Sequence, residues 1–211
     1  MLLYYSFLRM DAVPTIKRIF KPTVFILCLL PFAWQVWLLL NDSLGANPIE
    51  AFTRHSGEWG LRFLLITLAM SPLRRVLQQA WPLRIRRMLG LYAFFYVCVH
   101  LLSYIVLDQF FDWREILADI IKRPFITIGM TAFLLLIPLA VTSNRYMMAK
   151  LGKNWQRLHR LVYPIAVCGV VHYFWLVKAD YYWPTIYAVI LVVLLMWRLP
   201  VWCTSPSNKS R

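Results

Sequence analysis

Apolar residues in this chain do not alternate, and they do not form narrow stripes. They come in long runs separated by short polar and basic stretches. A membrane crossing needs about 20 mainly apolar residues. Six runs come close to that length, at about 22–40, 58–73, 88–107, 124–142, 158–177 and 182–199. The second is the shortest and holds Arg62 near one end, where an aliphatic stem can carry the charge to the interface. Between the third and fourth runs, "DQFFDWREILADIIKRP" mixes charge with Phe110, Phe111, Trp113, Ile116, Leu117 and Ile120. That mixture predicts a short amphipathic helix lying on the membrane surface. Pro124 then opens the fourth run at a helix position where its missing N–H does no harm. Trp59, Trp81, Trp155, Trp175 and Trp183 fall near the expected span ends, as an interfacial aromatic belt does. The pattern predicts an all-α integral membrane protein: a six-helix transmembrane bundle over 22–199, an N-terminal segment 1–21 and a tail 200–211. No internal repeat is evident in the residues, and no low-complexity tract interrupts them.

Composition agrees. The 211 residues are 61% hydrophobic, above the roughly half that soluble domains carry. The net charge of +14 would suggest nucleic acid in a soluble protein. Here the basic residues gather between apolar runs, with no stacking platform and no basic helix, so no nucleic acid is expected. Seventeen of the 23 Lys and Arg fall on one side of the six-span topology, among them Lys17, Arg18, Arg74, Arg75, Arg145 and Lys150. Basic loops stay in the cytoplasm, which puts both termini there. The start lacks a small-residue cleavage site after a basic stretch, so the first run is expected to remain as an anchor. Cys28, Cys98, Cys168 and Cys203 share no CxxC spacing and are expected to be free thiols rather than a disulfide framework or a zinc site.

Candidate chemistry lies in the histidines. Ionisable groups within a membrane are costly and usually functional. His100 is in the outer half of run three; run five holds His159 near its cytoplasmic end and His172 about 20 Å further out at 1.5 Å per residue. His100 and His172 therefore lie at similar depth on two helices that run the same way. Facing imidazoles would fill both axial positions of a haem iron, an arrangement suited to electron transfer because no coordination site stays open. The alternative is that each ring simply bonds a neighbouring helix. His159 sits at the depth of an inner site. Arg86, fourteen residues before His100, returns to within about 40° of the same helix face, and could pair there with a propionate or contact iron. Thirteen residues of ideal helix leave His159 and His172 about 140° apart, but Pro164 lies between them and is expected to kink or unwind the chain. His55, in "FTRHSGEW", is read as a solvated or interfacial loop residue. The stretch "RRVLQQAWPLRIRR", with Arg74, Arg75, Arg84 and Arg87, could grip a cofactor phosphate, a propionate or lipid headgroups. The glycines are isolated, so no nucleotide-binding loop is expected.

Four segments carry a resemblance: "SGEWGLRFLLITLAMSPLRR", "RIRRMLGLYAFFYVCVHLLSYIVLD", "KRPFITIGMTAFLLLIPLAVTS" and "LGKNWQRLHRLVYPIAVCGVVHYFWLVK". In order and spacing they resemble the MsrQ (YedZ) family, haem-binding membrane subunits of bacterial periplasmic methionine sulfoxide reductase systems, over about residues 24–178. The resemblance implies a ferric-reductase-like transmembrane domain in the bacterial inner membrane, with one or two b-type haems and FMN. It implies electrons drawn from quinones and passed to a periplasmic molybdopterin subunit, MsrP, that repairs oxidised methionine. Carried over, the axial-ligand role falls on His100 and His172, with His159 as the third haem-associated histidine. The wider ferric-reductase and NADPH-oxidase group has two histidines on each of two helices, and this chain has Arg86 where the fourth would stand. The flavin and NADPH domains of those oxidases have no counterpart in these residues, so a quinone or a separate flavin reductase is the expected donor. Two other readings remain: a quinone-linked cytochrome b or ferric reductase with a different acceptor, and a cofactor-free transporter or scaffold. Transporters place charge near the midplane on broken helices, whereas the acidic residues here lie almost wholly in expected loops.

Overall fold

The computed structural model describes residues 14–177 and 179–198. Among them the only regular elements are helices. The chain resolves into two compact units, one up to Ile116 and one from Leu117 onward. The tail 200–211 and most of the N-terminal segment 1–21 lie outside the described residues, as does Cys203.

The first unit holds α1 (Pro14–Leu40), α2 (Pro48–Leu77) and α3 (Trp81–Ser103), which continues as a π-helical segment over Tyr104–Asp108. Hydropathy places the second span at 58–73, but α2 starts ten residues earlier. Asn47 caps it, accepting from the Glu50 N–H at 3.3 Å while its own amide donates to the Glu50 carboxylate at 3.1 Å, and Pro48 occupies the first turn. The early start corrects one expectation: His55 is on a helix rather than in a loop, although it is exposed. Trp59 is half-buried inside α2. Arg62 is mid-helix, where it pairs with Glu58 one turn earlier at 2.7 Å and lies over the Trp59 ring at 4.8 Å. Loss of the cap by Asn47→Ala is expected to cost about 1 kcal/mol, read as a lower Tm in detergent.

Helices α2 and α3 make the most extensive helix contact in the chain, and α1 packs on both. Small residues allow the close approach. A Cβ on Gly60 would stand 2.8 Å from Val97, and Ala93 is fully buried. Phe63 stacks between Tyr92 and Tyr96 at 5.7 and 5.2 Å. Tyr96 is wholly buried, and its hydroxyl accepts from the Phe32 N–H at 3.0 Å and donates to the Cys28 carbonyl at 2.8 Å.

Helix α4 (Trp113–Lys122) is the expected amphipathic segment. Phe110, Trp113, Leu117 and Ile121 are well exposed, while Ile116 and Asp119 are buried. Phe110 and Phe111 both have positive φ, a strained conformation for large side chains.

In the second unit, α5 (Pro124–Val141) packs on α8 (Val162–Leu176), which packs on α9 (Tyr182–Met196). Gly129, Ala132 and the fully buried Ala166 line the α5–α8 pair with small residues. Two short helices, α6 (Arg145–Leu151) and α7 (Lys153–His159), occupy what hydropathy leaves as a basic loop. The expected fifth span, 158–177, is not one helix. It breaks at Arg160–Leu161, three residues before Pro164, whose ring clashes with the carbonyl four residues back and has no N–H to offer it.

Three helices are long and apolar enough to cross a membrane by length and composition: Ile19–Leu40, Trp81–Asp108 and Pro124–Val141. Tyr182–Met196 is apolar but shorter. Leu30, Leu134, Val141, Val189 and Val193 are each more than half exposed. Such an apolar exterior suits lipid, not water.

Candidate functional site

His100 lies on the last turn of α3, with its ring against α2. Its Nδ1 is 2.8 Å from the Thr53 carbonyl oxygen. A carbonyl only accepts, so Nδ1 carries the proton, and in the neutral ring Nε2 carries the lone pair. The same carbonyl accepts from Ser56 Oγ at 2.8 Å, Thr53 Oγ1 donates to Ser103 Oγ at 2.9 Å, and Ser103 Oγ donates to the His100 carbonyl at 2.9 Å. Ser56 and Ser103 are buried, so these bonds satisfy groups that apolar surroundings would otherwise penalise. They also tie the histidine turn to α2. One helical turn beyond Thr53 is Gly57, where a Cβ would stand 2.9 Å from His100 Nδ1.

The second unit repeats the arrangement. His172 on α8 has Nδ1 2.6 Å from the Phe125 carbonyl oxygen on α5. One turn beyond Phe125 is Gly129, where a Cβ would stand 2.8 Å from His172 Nδ1. In both units the histidine follows its carbonyl partner by 47 residues. The recurrence is one of geometry, which a reading of the residues for repeats does not register. Carbonyl, glycine and imidazole recur in register, while most side chains between them differ, so the repeat belongs to the backbone placement.

Both imidazoles are half-buried and both are fixed in the tautomer that leaves the lone pair on Nε2. Haem iron takes nitrogen ligands from protein, and each ring by itself offers one, so these residues fit that group. Among the described residues no three of His, Cys, Asp or Glu gather as an all-protein metal site.

His159 is seated differently. On α7 it stacks on Trp155, ring centroids 4.0 Å apart, and its Nε2 is 3.0 Å from Thr142 Oγ1. The Thr142 hydroxyl proton goes to the Pro138 carbonyl at 2.6 Å, so His159 Nε2 donates. His159 therefore shows the opposite tautomer from His100 and His172. Trp155 Nε1 donates to the Thr142 carbonyl at 3.0 Å, completing a cluster at the end of α5. In the first unit Arg86 is half-buried and donates from Nη1 to Ser71 Oγ at 3.2 Å. Each unit thus places a polar side chain against a hydroxyl at the end opposite its imidazole seat. Arg74 and Arg75 are exposed on the last turn of α2, and Arg84 and Arg87 are exposed near the start of α3. Gln35 is a further buried polar group, an amide within the otherwise apolar stretch 24–40 of α1 and 3% exposed. Its isolation among apolar neighbours was the available signal.

Two pairs of apolar helices, each anchoring one histidine by Nδ1, define a class of membrane protein that offers imidazole nitrogen to a bound group. The family model described as "Ferric reductase like transmembrane component" matches residues 56–170, more than half of the chain. Three relatives carry the name protein-methionine-sulfoxide reductase heme-binding subunit MsrQ. The one from Rhodospirillum rubrum is 60% identical over 86% of this chain and 88% of its own length. The one from Herminiimonas arsenicoxydans is 50% identical over 93% and 91%. The one from Caulobacter vibrioides is 51% identical over 83% and 84%. The chain belongs to the MsrQ family of ferric-reductase-like membrane proteins. No solved structure matches it.

Proposed function

We propose that this chain is a membrane b-type cytochrome whose haem iron would be held by His100 and His172. The observation that carries this reading is the repeated imidazole seat, Nδ1 bound to a helix carbonyl and the lone pair on Nε2 in both units. The relatives' name, which says heme-binding, supports it. The bound group supplies one-electron transfer. The chain's own residues hold the rings and fix their tautomer.

In this reading α1, α2, α3, α5, α8 and α9 are six crossings of a bacterial inner membrane, with both termini cytoplasmic. Their order and the basic stretches between them support it. Electrons enter from the quinone pool or a cytoplasmic flavin reductase and leave to a periplasmic molybdopterin subunit, MsrP, which reduces methionine sulfoxide. By family resemblance His159 would be a third haem-associated histidine, and Arg86 a partner for a propionate or a contact to iron. FMN enters on family resemblance, and the exposed Arg74, Arg75, Arg84 and Arg87 suit its phosphate.

The test is purified protein in liposomes, reduced with a quinol. Low-spin b-type bands are expected to appear, and to fade when the molybdopterin subunit and methionine sulfoxide are added. A featureless spectrum would sink the cytochrome reading. Bands that persist with that acceptor but fade with another would give the chain a different partner.

A further inference from the structure

The mechanism above needs the histidines, but not yet the glycines beneath them. In an α-helix the carbonyl of residue i lies beside residue i+4, because that residue's N–H points at it. An imidazole that donates to the carbonyl from a neighbouring helix must therefore lie across residue i+4. In the first unit that pair is Thr53 and Gly57; in the second it is Phe125 and Gly129. The distances show how little room there is. A Cβ on Gly57 would meet His100 Nδ1, Cε1 and Cγ at 2.9, 3.1 and 3.4 Å. A Cβ on Gly129 would meet the same atoms of His172 at 2.8, 2.9 and 3.2 Å. Three close approaches to one ring face mean that the ring plane rests on the glycine, not merely its edge.

We propose that Gly57 and Gly129 are positioning residues for the iron ligands, each letting an imidazole lie against bare helix backbone so that its Nδ1–H stays bonded to the carbonyl one turn earlier. The inference rests on the axial-ligand reading of His100 and His172. A methyl group at either position lifts the ring, lengthens the Nδ1–carbonyl bond and turns the ring plane. A weaker bond at Nδ1 makes the imidazole a poorer donor, which favours ferrous iron and raises the midpoint potential. The two seats share one geometry, so the two substitutions act alike although they lie in different units.

Gly60 provides the control. A Cβ there would be equally close to its neighbour, at 2.8 Å, but that neighbour is Val97 and not an imidazole. Gly57→Ala and Gly129→Ala are expected to raise the haem dissociation constant about ten- to a hundredfold, the range seen when groups supporting a metal ligand are removed. They should also raise the potential and shift the largest g value of the ferric low-spin signal. Gly60→Ala is expected to lower thermal stability while leaving potential and g values as in the unaltered protein. Unchanged potential and g values in both Gly57→Ala and Gly129→Ala, with haem retained, would overturn the proposal, as would Gly60→Ala shifting them equally. Should the two variants fail to accumulate, the unaltered ferric protein decides. Proton NMR should then show two imidazole Nδ1–H resonances that exchange slowly in heavy water, and rapid exchange of both would overturn the seats. Absence of haem from the unaltered protein would instead sink the axial-ligand reading.

Discussion

His100→Ala and His172→Ala are each expected to remove the low-spin b-type bands from the reduced-minus-oxidised spectrum. Removing groups that merely support a ligand costs about ten- to a hundredfold in metal affinity, so removing the ligand itself should leave less than about a tenth of the haem. The loss should be equal for the two variants, because each ring has the same seat and the same tautomer. Either variant that keeps full haem and a low-spin spectrum would remove that histidine from the iron. His159→Ala then separates one haem from two. Its Nε2 donates to Thr142, whose hydroxyl proton is committed to the Pro138 carbonyl, so on this geometry it is not presented as an Nε2 ligand. Full haem content in that variant indicates a single site; loss of about half indicates a second one, reached by rearrangement of the Thr142 bond.

Tyr96→Phe is expected to destabilise the first unit by about 2–3 kcal/mol, since each buried backbone group left unbonded costs about 1–3 kcal/mol. The cause begins at Pro31, inside α1. A proline within a helix opens the turn around it. Phe32 N–H and the Cys28 carbonyl, four residues apart, would pair along an undisturbed helix. The Tyr96 hydroxyl accepts from the first and donates to the second. Phenylalanine keeps the ring's packing against Phe63 but strands both groups in apolar surroundings. The measurement is the unfolding midpoint in detergent, with Tyr92→Phe as the milder comparison, because among the described residues the Tyr92 hydroxyl serves one backbone group, the Phe25 carbonyl. Equal stability of Tyr96→Phe and the unaltered protein would show that α1 closes its own hydrogen bond there.

Much of this was legible in the residues. Runs of apolar residues locate α1, α3, α5 and α9, and Pro124 marks the start of α5, because burial in lipid leaves its trace in hydropathy. The start of α2 was missed, although "NPIE" is a capping box with proline in the first turn: a search for apolar runs passes over a polar first turn. Pro164 correctly announced a break between His159 and His172. His100 and His172 stood out because an ionisable group in an apolar run is expensive. Their partners could not stand out in the same way. A backbone carbonyl has no letter in the sequence, and Thr53 and Phe125 share nothing as side chains. Only the glycines one turn later leave a mark, and among seven scattered glycines their significance depends on which helix crosses them.

The recurrence of the seat bears on which positions tolerate change. A ring held by backbone is indifferent to the side chain of the residue that lends the carbonyl, so positions 53 and 125 can differ in chemistry, as threonine and phenylalanine do, without loosening the imidazole. The glycine one turn later has no such latitude, because any Cβ there meets the ring.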